Sequence, residues 1–113
     1  MRIGVVGGIS RQEPQLAQLA AQAGHPIEFH VGDVRGRAAA DLRALVARAE
    51  LVVIVTDQNS HGGARMAKLL ARQLGRASVV LSRCGVARFA ALLDALAARE
   101  RHASAGGRRA TYA

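Results

Sequence analysis

The chain has 113 residues, half of them apolar, which is room for one domain with a single modest core. Its formal charge is +8, from 16 Lys+Arg against 8 Asp+Glu, and arginine supplies nearly all of it, Lys68 being the only lysine. No apolar stretch approaches the roughly 20 residues of a membrane-spanning helix; the start at Met1 lacks a signal-peptide pattern; and the single cysteine, Cys84, excludes an intrachain disulfide, so a cytoplasmic, reducing setting is expected.

The first strand is predicted over Ile3–Gly7, followed by Gly8-Ile9-Ser10 as a loop. A helix follows from about Arg11 to Ala23. Pro14 fits within its first turn, Leu16, Leu19, Ala20 and Ala23 form its apolar stripe, and Gly24 is a natural stop. Ile27–His30 reads as the second strand. The helix from about Ala38 to Ala49 turns Leu42, Leu45 and Val46 inward. Leu51–Val55 is an unbroken apolar run, the pattern of a strand buried on both faces. The helix that follows, Gly62 to Leu74, carries Met66, Leu69, Leu70 and Leu74 inward and ends at Gly75. Ser78–Leu81 is the fourth strand, and the last helix, from about Val86 to Arg101, buries Phe89, Leu92, Leu93 and Leu96.

This alternation implies βαβ units with right-handed crossovers. The expected fold is α/β: a single three-layer sandwich whose four-stranded parallel sheet, order 2-1-3-4, is flanked by four helices. Residues 1–102 form the domain, and residues 103–113, rich in Ser, Gly and Arg, read as a flexible basic tail. The segment 99–113 carries four arginines against Glu100, or 4 − 1 = +3. With only four strands, one edge or helix face is thinly covered, and a homodimer would cover it.

The most informative stretch is Thr56-Asp57-Gln58-Asn59-Ser60-His61-Gly62-Gly63, where the most apolar strand hands over to a helix. Ligands of open α/β sheets bind at this carboxyl edge, and order 2-1-3-4 puts a switch point between strands one and three. Gly7 and Gly8 would then face Thr56–His61 across a crevice. Ser60 or Asn59 can cap the helix. Gly62 and Gly63 leave first-turn N–H groups open to an anion, with Arg65 and Lys68 nearby. His61 is the sharpest single residue, able to ligate a metal or haem iron or to act as a base. His30 ends strand two and Cys84 follows strand four. A His30, His61 and Cys84 set could gather around one metal or cofactor, against the plainer reading of His30 as a hydrogen-bonded strand end and Cys84 as a small buried hydrophobe. His25 and His102 read as surface residues. Neither a full G-x-G-x-x-G nor a G-x-x-x-x-G-K-[ST] pattern is present. No nucleophile has an evident base, so an enzyme is not the favoured reading. The low aromatic content (Phe29, Phe89, Tyr112) weighs against a base-stacking strand binder.

Val5-Val6-Gly7-Gly8, the run Leu51–Val55 followed by Thr56-Asp57-x-x-Ser60-His61, and Arg83-Cys84-Gly85 before the last helix resemble a small bacterial family catalogued only as a domain of unknown function. The likeness covers about residues 1–98, and the Thr-Asp-x-x-Ser-His segment is its most specific part. It implies a compact α/β sandwich, and some members are associated with haem and oxygen. Carried over, the implied site is Thr56, Asp57, Ser60, His61, Arg83 and Cys84, with Gly7 and Gly8 opposite. The basic tail lies outside the pattern.

The leading expectation is therefore a non-enzymatic cofactor-binding domain. It would hold haem through His61, with Arg65, Lys68 or Arg83 on the propionates and a role in oxygen or redox sensing or carriage. A phosphate- or nucleotide-binding module using Gly7, Gly8, Ser60, Gly62 and Arg65 is the first alternative. A nucleic-acid accessory protein driven by the basic charge is the second, and a small hydrolase the weakest.

Overall fold

The computed structural model describes residues 1–8, 10–57, 59 and 61–105, with only the backbone of Ser10, His61 and residues 102–105. The elements alternate as read from the sequence: β1 (Ile3–Val6), α1 (Glu13–Gln22), β2 (Ile27–His30), α2 (Arg37–Arg48), β3 (Leu51–Val55), α3 (His61–Gln73), β4 (Ala77–Leu81) and α4 (Val86–Ala105). A short 3₁₀ turn, Ser10–Gln12, leads into α1. The last helix runs past Arg101 to Ala105, so its end lies within the segment assigned to the tail; residues 106–113 lie outside the described residues.

All strand pairs are parallel and the order is β2-β1-β3-β4. Strand parity then divides the core. Ile3, Val5, Leu51, Val53 and Val55 point to one face, where Leu16, Ala20, Phe89 and Leu93 of α1 and α4 cover them. Val6, Val52 and Ile54 point to the other, under Leu42, Leu45 and Val46 of α2 and Ala67, Leu70 and Ala71 of α3. The three-layer sandwich follows directly: β3, apolar at every position, is buried on both sides.

Gly4 shows how closely α2 approaches. A Cβ at that position would lie 2.5 Å from Leu45 Cδ2 and 3.3 Å from Ala49 Cβ. Both neighbours are buried, so a side chain there would have to displace packed core. The stops at Gly24 and Gly75 adopt positive φ, +82° and +67°, a backbone region open to glycine.

Three side chains depart from expectation. Leu69 is 51 % exposed, because the inward face of α3 is centred on Ala67, Leu70 and Ala71 and turns Leu69 away. Ala23, placed on the apolar stripe of α1, is exposed at its end. His25 is buried rather than on the surface, and its Nδ1 pairs with the Met1 amino group at 2.8 Å. The β2 edge is held by Glu28, whose carboxylate accepts from both Nε and Nη2 of Arg48 at 2.8–3.1 Å. That fork holds the Glu28 carboxyl below its ordinary value.

Gly4→Val is expected to cost about 1–3 kcal/mol by overpacking the β1–α2 contact. Urea unfolding should show a lower midpoint at unchanged slope.

Candidate functional site

Every strand ends at one edge of the sheet, and the loops there are built around Asn59. Its Nδ2 donates to the Val55 carbonyl at 2.8 Å and to the Val6 carbonyl at 3.4 Å, tying the ends of β3 and β1 together. Glycines surround the amide. A Cβ on Gly7 would lie 2.7 Å from Asn59 Nδ2 and from the Val55 carbonyl oxygen. On Gly32 it would lie 1.9 Å from Asn59 Oδ1, and on Gly63 2.2 Å from the Gly32 carbonyl oxygen. Asn59 therefore does not cap α3. It locks the loops after β1, β2 and β3 and the first turn of α3 into one unit.

Two concave regions flank this lock, on opposite faces of the sheet. The first is a cavity of about 400 Å³ lined by Gly8, Gln12, Val55, Asp57, Arg83, Cys84 and Gly85. It joins the ends of β1, β3 and β4, at the switch point the strand order implies. Arg83 Nε donates to Asp57 Oδ2 at 2.9 Å across its mouth. Thr56 lies just outside. Its backbone N–H donates to the Leu81 carbonyl at 2.9 Å, which holds the loop in register with β4.

The second region is a pair of adjoining grooves, of about 540 and 480 Å³, that share Val34 and Gly62. Val31, Val34, Met66 and Leu69 supply apolar surface there, and Arg35, Arg65, Lys68 and Arg72 supply positive charge. Arg35 is paired with Asp33 at 3.1 Å. None of the ion pairs among the described residues takes Arg65, Lys68 or Arg72. The grooves begin at the head of α3, whose first residue is His61. Ser60 and the His61 side chain lie outside the described residues.

The predicted site residues are thus divided. Gly8, Asp57, Arg83 and Cys84 share the cavity, Gly62, Arg65 and Lys68 belong to the grooves, and Gly7 packs on Asn59. The expected meeting of His30 with Cys84 does not occur. His30 is in register with Val6 and faces α2, whereas Cys84 joins the core under α1 and α4. Two strands separate β2 from β4, roughly 14 Å across the sheet. Both ring nitrogens of His30 are engaged, Nε2 with the Ala38 carbonyl at 3.0 Å and Nδ1 with the Gly32 N–H at 2.9 Å. Among the described residues no group of three or more His, Cys, Asp or Glu side chains could hold a metal ion. Burial pushes the Cys84 thiol above its ordinary value, with Arg88 opposing the shift.

Sequence reading missed Asn59 as a lock, Gln12 in the cavity, and Val31, Val34 and Arg35 as groove wall. The available signal was the coincidence of Gly7, Gly32 and Gly63 near three strand or helix ends with one uncharged amide between them.

Residues 2–96 match a bacterial family described as an uncharacterized protein conserved in bacteria (DUF2325). The chain belongs to that family. The match spans β1 to about the middle of α4, so it contains the Asn59 lock, the cavity and both grooves. Neither a curated protein nor a solved structure matches the chain. Among the described residues no helix is long and apolar enough to cross a membrane.

Asn59→Ala removes the amide that ties β1 to β3 and should lower stability by about 1–3 kcal/mol. Gly63→Ala should be at least as damaging in the same urea titration, because its Cβ meets backbone. For Cys84 the upward shift means that the fold favours the protonated thiol. That contribution is present below the ordinary value of 9.0 and is lost as pH rises through the raised one. N-ethylmaleimide should therefore alkylate native Cys84 far more slowly than the urea-unfolded chain, and the native rate should still be climbing with pH beyond 9.0, where the unfolded chain's rate levels off. Mass spectrometry across a pH series reads both rates.

Proposed function

We propose that this chain is a non-enzymatic haem-binding domain, with haem seated in the groove along α3 and its iron held by His61. The observation that carries the reading is the composition of that groove. Haem is a flat apolar body with two propionates, and the groove offers apolar surface from Val31, Val34, Met66 and Leu69 beside the cations Arg65, Lys68 and Arg72. Leu69 and Val31 are 51 % and 60 % exposed, an expense of apolar surface that a flat apolar ligand would cover. The residues present fit the group: one imidazole suffices as the protein ligand to haem iron, so the absence of a larger ligand cluster among the described residues is no obstacle.

In this reading His61 contributes the imidazole, Arg65, Lys68 and Arg72 pair with the propionates, and Val34, Met66 and Leu69 exclude water from the ring face. Gly62 and Gly63 allow α3 to begin against the β2 loop, which sets His61 at the head of the groove. Bound haem supplies reversible binding of a diatomic gas or one-electron redox chemistry, which suits oxygen or redox sensing or carriage. The groove is open on its outer side, and a second protomer would close over it. Cys84 and His30 take no part, the first because it lies under the opposite helices, the second because its ring is already bonded.

Hemin titration of the full chain tests this. A sharp Soret band is expected on stoichiometric addition, lost or shifted in His61→Ala. Arg65→Glu with Arg72→Glu should weaken binding by about tenfold or more while leaving the band position unchanged. An unshifted spectrum in the parent, or an identical titration for His61→Ala, overturns the proposal.

A further inference from the structure

The cavity under α1 and α4 is separate from the haem groove and has its own chemistry. We propose that it is a second binding site, which takes a small phosphomonoester. The proposal rests on the cavity and its arginine. Arg83 lines the space, and its Nε is fixed by Asp57 at 2.9 Å. A guanidinium held at one nitrogen is pre-oriented to grip an oxyanion with the others. Asp57, the only carboxylate among the described lining residues, is already paired by that contact.

The remaining walls suit an organic phosphate. A Cβ on Gly8 or Gly85 would meet nothing within 4 Å among the described residues, so the cavity reaches bare backbone at both. Gly8 has φ +98°, a conformation that keeps other residues out and the approach clear. Gln12 makes no side-chain capping bond to α1, so its amide serves to orient a hydroxyl or ring nitrogen. Val55 and Cys84 form an apolar floor for the body of the ligand. At about 400 Å³ the space matches a small organic phosphate rather than a bare ion. The first turn of α4 opens directly after Gly85, and its unpaired N–H groups and positive helix end favour the same charge.

Cys84 provides a built-in reporter, since it is the only cysteine and lies in the floor. Inorganic phosphate, ribose 5-phosphate and AMP are each titrated into the full chain by calorimetry, and the alkylation rate of Cys84 by N-ethylmaleimide is followed at saturation. Ribose 5-phosphate or AMP is expected to bind and to slow alkylation several-fold, and Arg83→Gln to weaken binding by about tenfold or more. Gly85→Leu, which fills the cavity from an open position, should abolish protection even if Arg83→Gln were poorly folded. Hemin titration of both variants should match the parent, which separates this site from the groove. Tighter binding of AMP than of ribose 5-phosphate assigns a nucleotide; equal affinities assign the sugar phosphate. Failure of all three compounds to bind or protect, binding of inorganic phosphate alone, or protection lost with Arg65→Glu but kept in Arg83→Gln, overturns the proposal.

Discussion

The carboxyl edge of this sheet depends on one amide. Val6 and Val55 are the last residues of adjacent parallel strands, and their carbonyls lie close together at the sheet edge. Asn59 answers both with a single NH₂ group. Because both partners are acceptors, the nitrogen must face them, and the amide oxygen is forced toward the glycine-lined side. That oxygen is buried without a partner. An orphaned acceptor costs on the order of 1–3 kcal/mol, and here it is the consequence of satisfying two strand ends at once. The glycines around it are therefore not evidence of looseness. Gly7, Gly32 and Gly63 are where three segments of backbone close onto one side chain, and any Cβ among them collides.

This arrangement explains what the sequence could show and what it could not. The run Leu51–Val55 announces a strand buried on both faces, and parallel order follows from the alternation with helices, because those features depend on local pattern. Strand order likewise follows from making the most apolar strand central. Side-chain parity is harder. His30 and Cys84 both follow from strand ends, yet one lies opposite Val6 on the α2 face and the other falls into the core under α4. Both sit at carboxyl ends of strands, but the strand order sets β2 and β4 at opposite sides of the sheet, and side-chain parity then sends the two residues to opposite faces. Leu69 fails for a related reason. The apolar stripe of α3 can be drawn through leucines or through Ala67 and Ala71, and closeness to the sheet selects the small residues.

The same parity gives the molecule two concave regions rather than the single crevice that the motif suggests. Thr56 to His61 crosses from one face to the other. Asp57, at its start, bonds to Arg83 on the α4 side, while Gly62, just beyond its end, opens the grooves on the α2 side. One segment therefore serves both, and the lock at Asn59 lies between them. A linear motif of this kind names a loop, and the loop has two sides.

Charge pairing argues further than charge count. An arginine-rich composition alone would explain a net +8 without any anionic partner. It would not explain the distribution. Three acids are matched in place: Glu28 by Arg48 and Arg2, Asp33 by Arg35, Asp57 by Arg83. On the exposed face of α3, Arg65, Lys68 and Arg72 stand together with no acid among the described residues of the groove they line. Like charges one helical turn apart repel, so the row raises the energy of the free helix slightly. The apolar side chains beside it, Leu69 above all, add a second cost in water. A surface that carries both costs in one strip is relieved by a ligand that is apolar and anionic at once, and that requirement favours haem over bare phosphate or nucleic acid for the α3 groove.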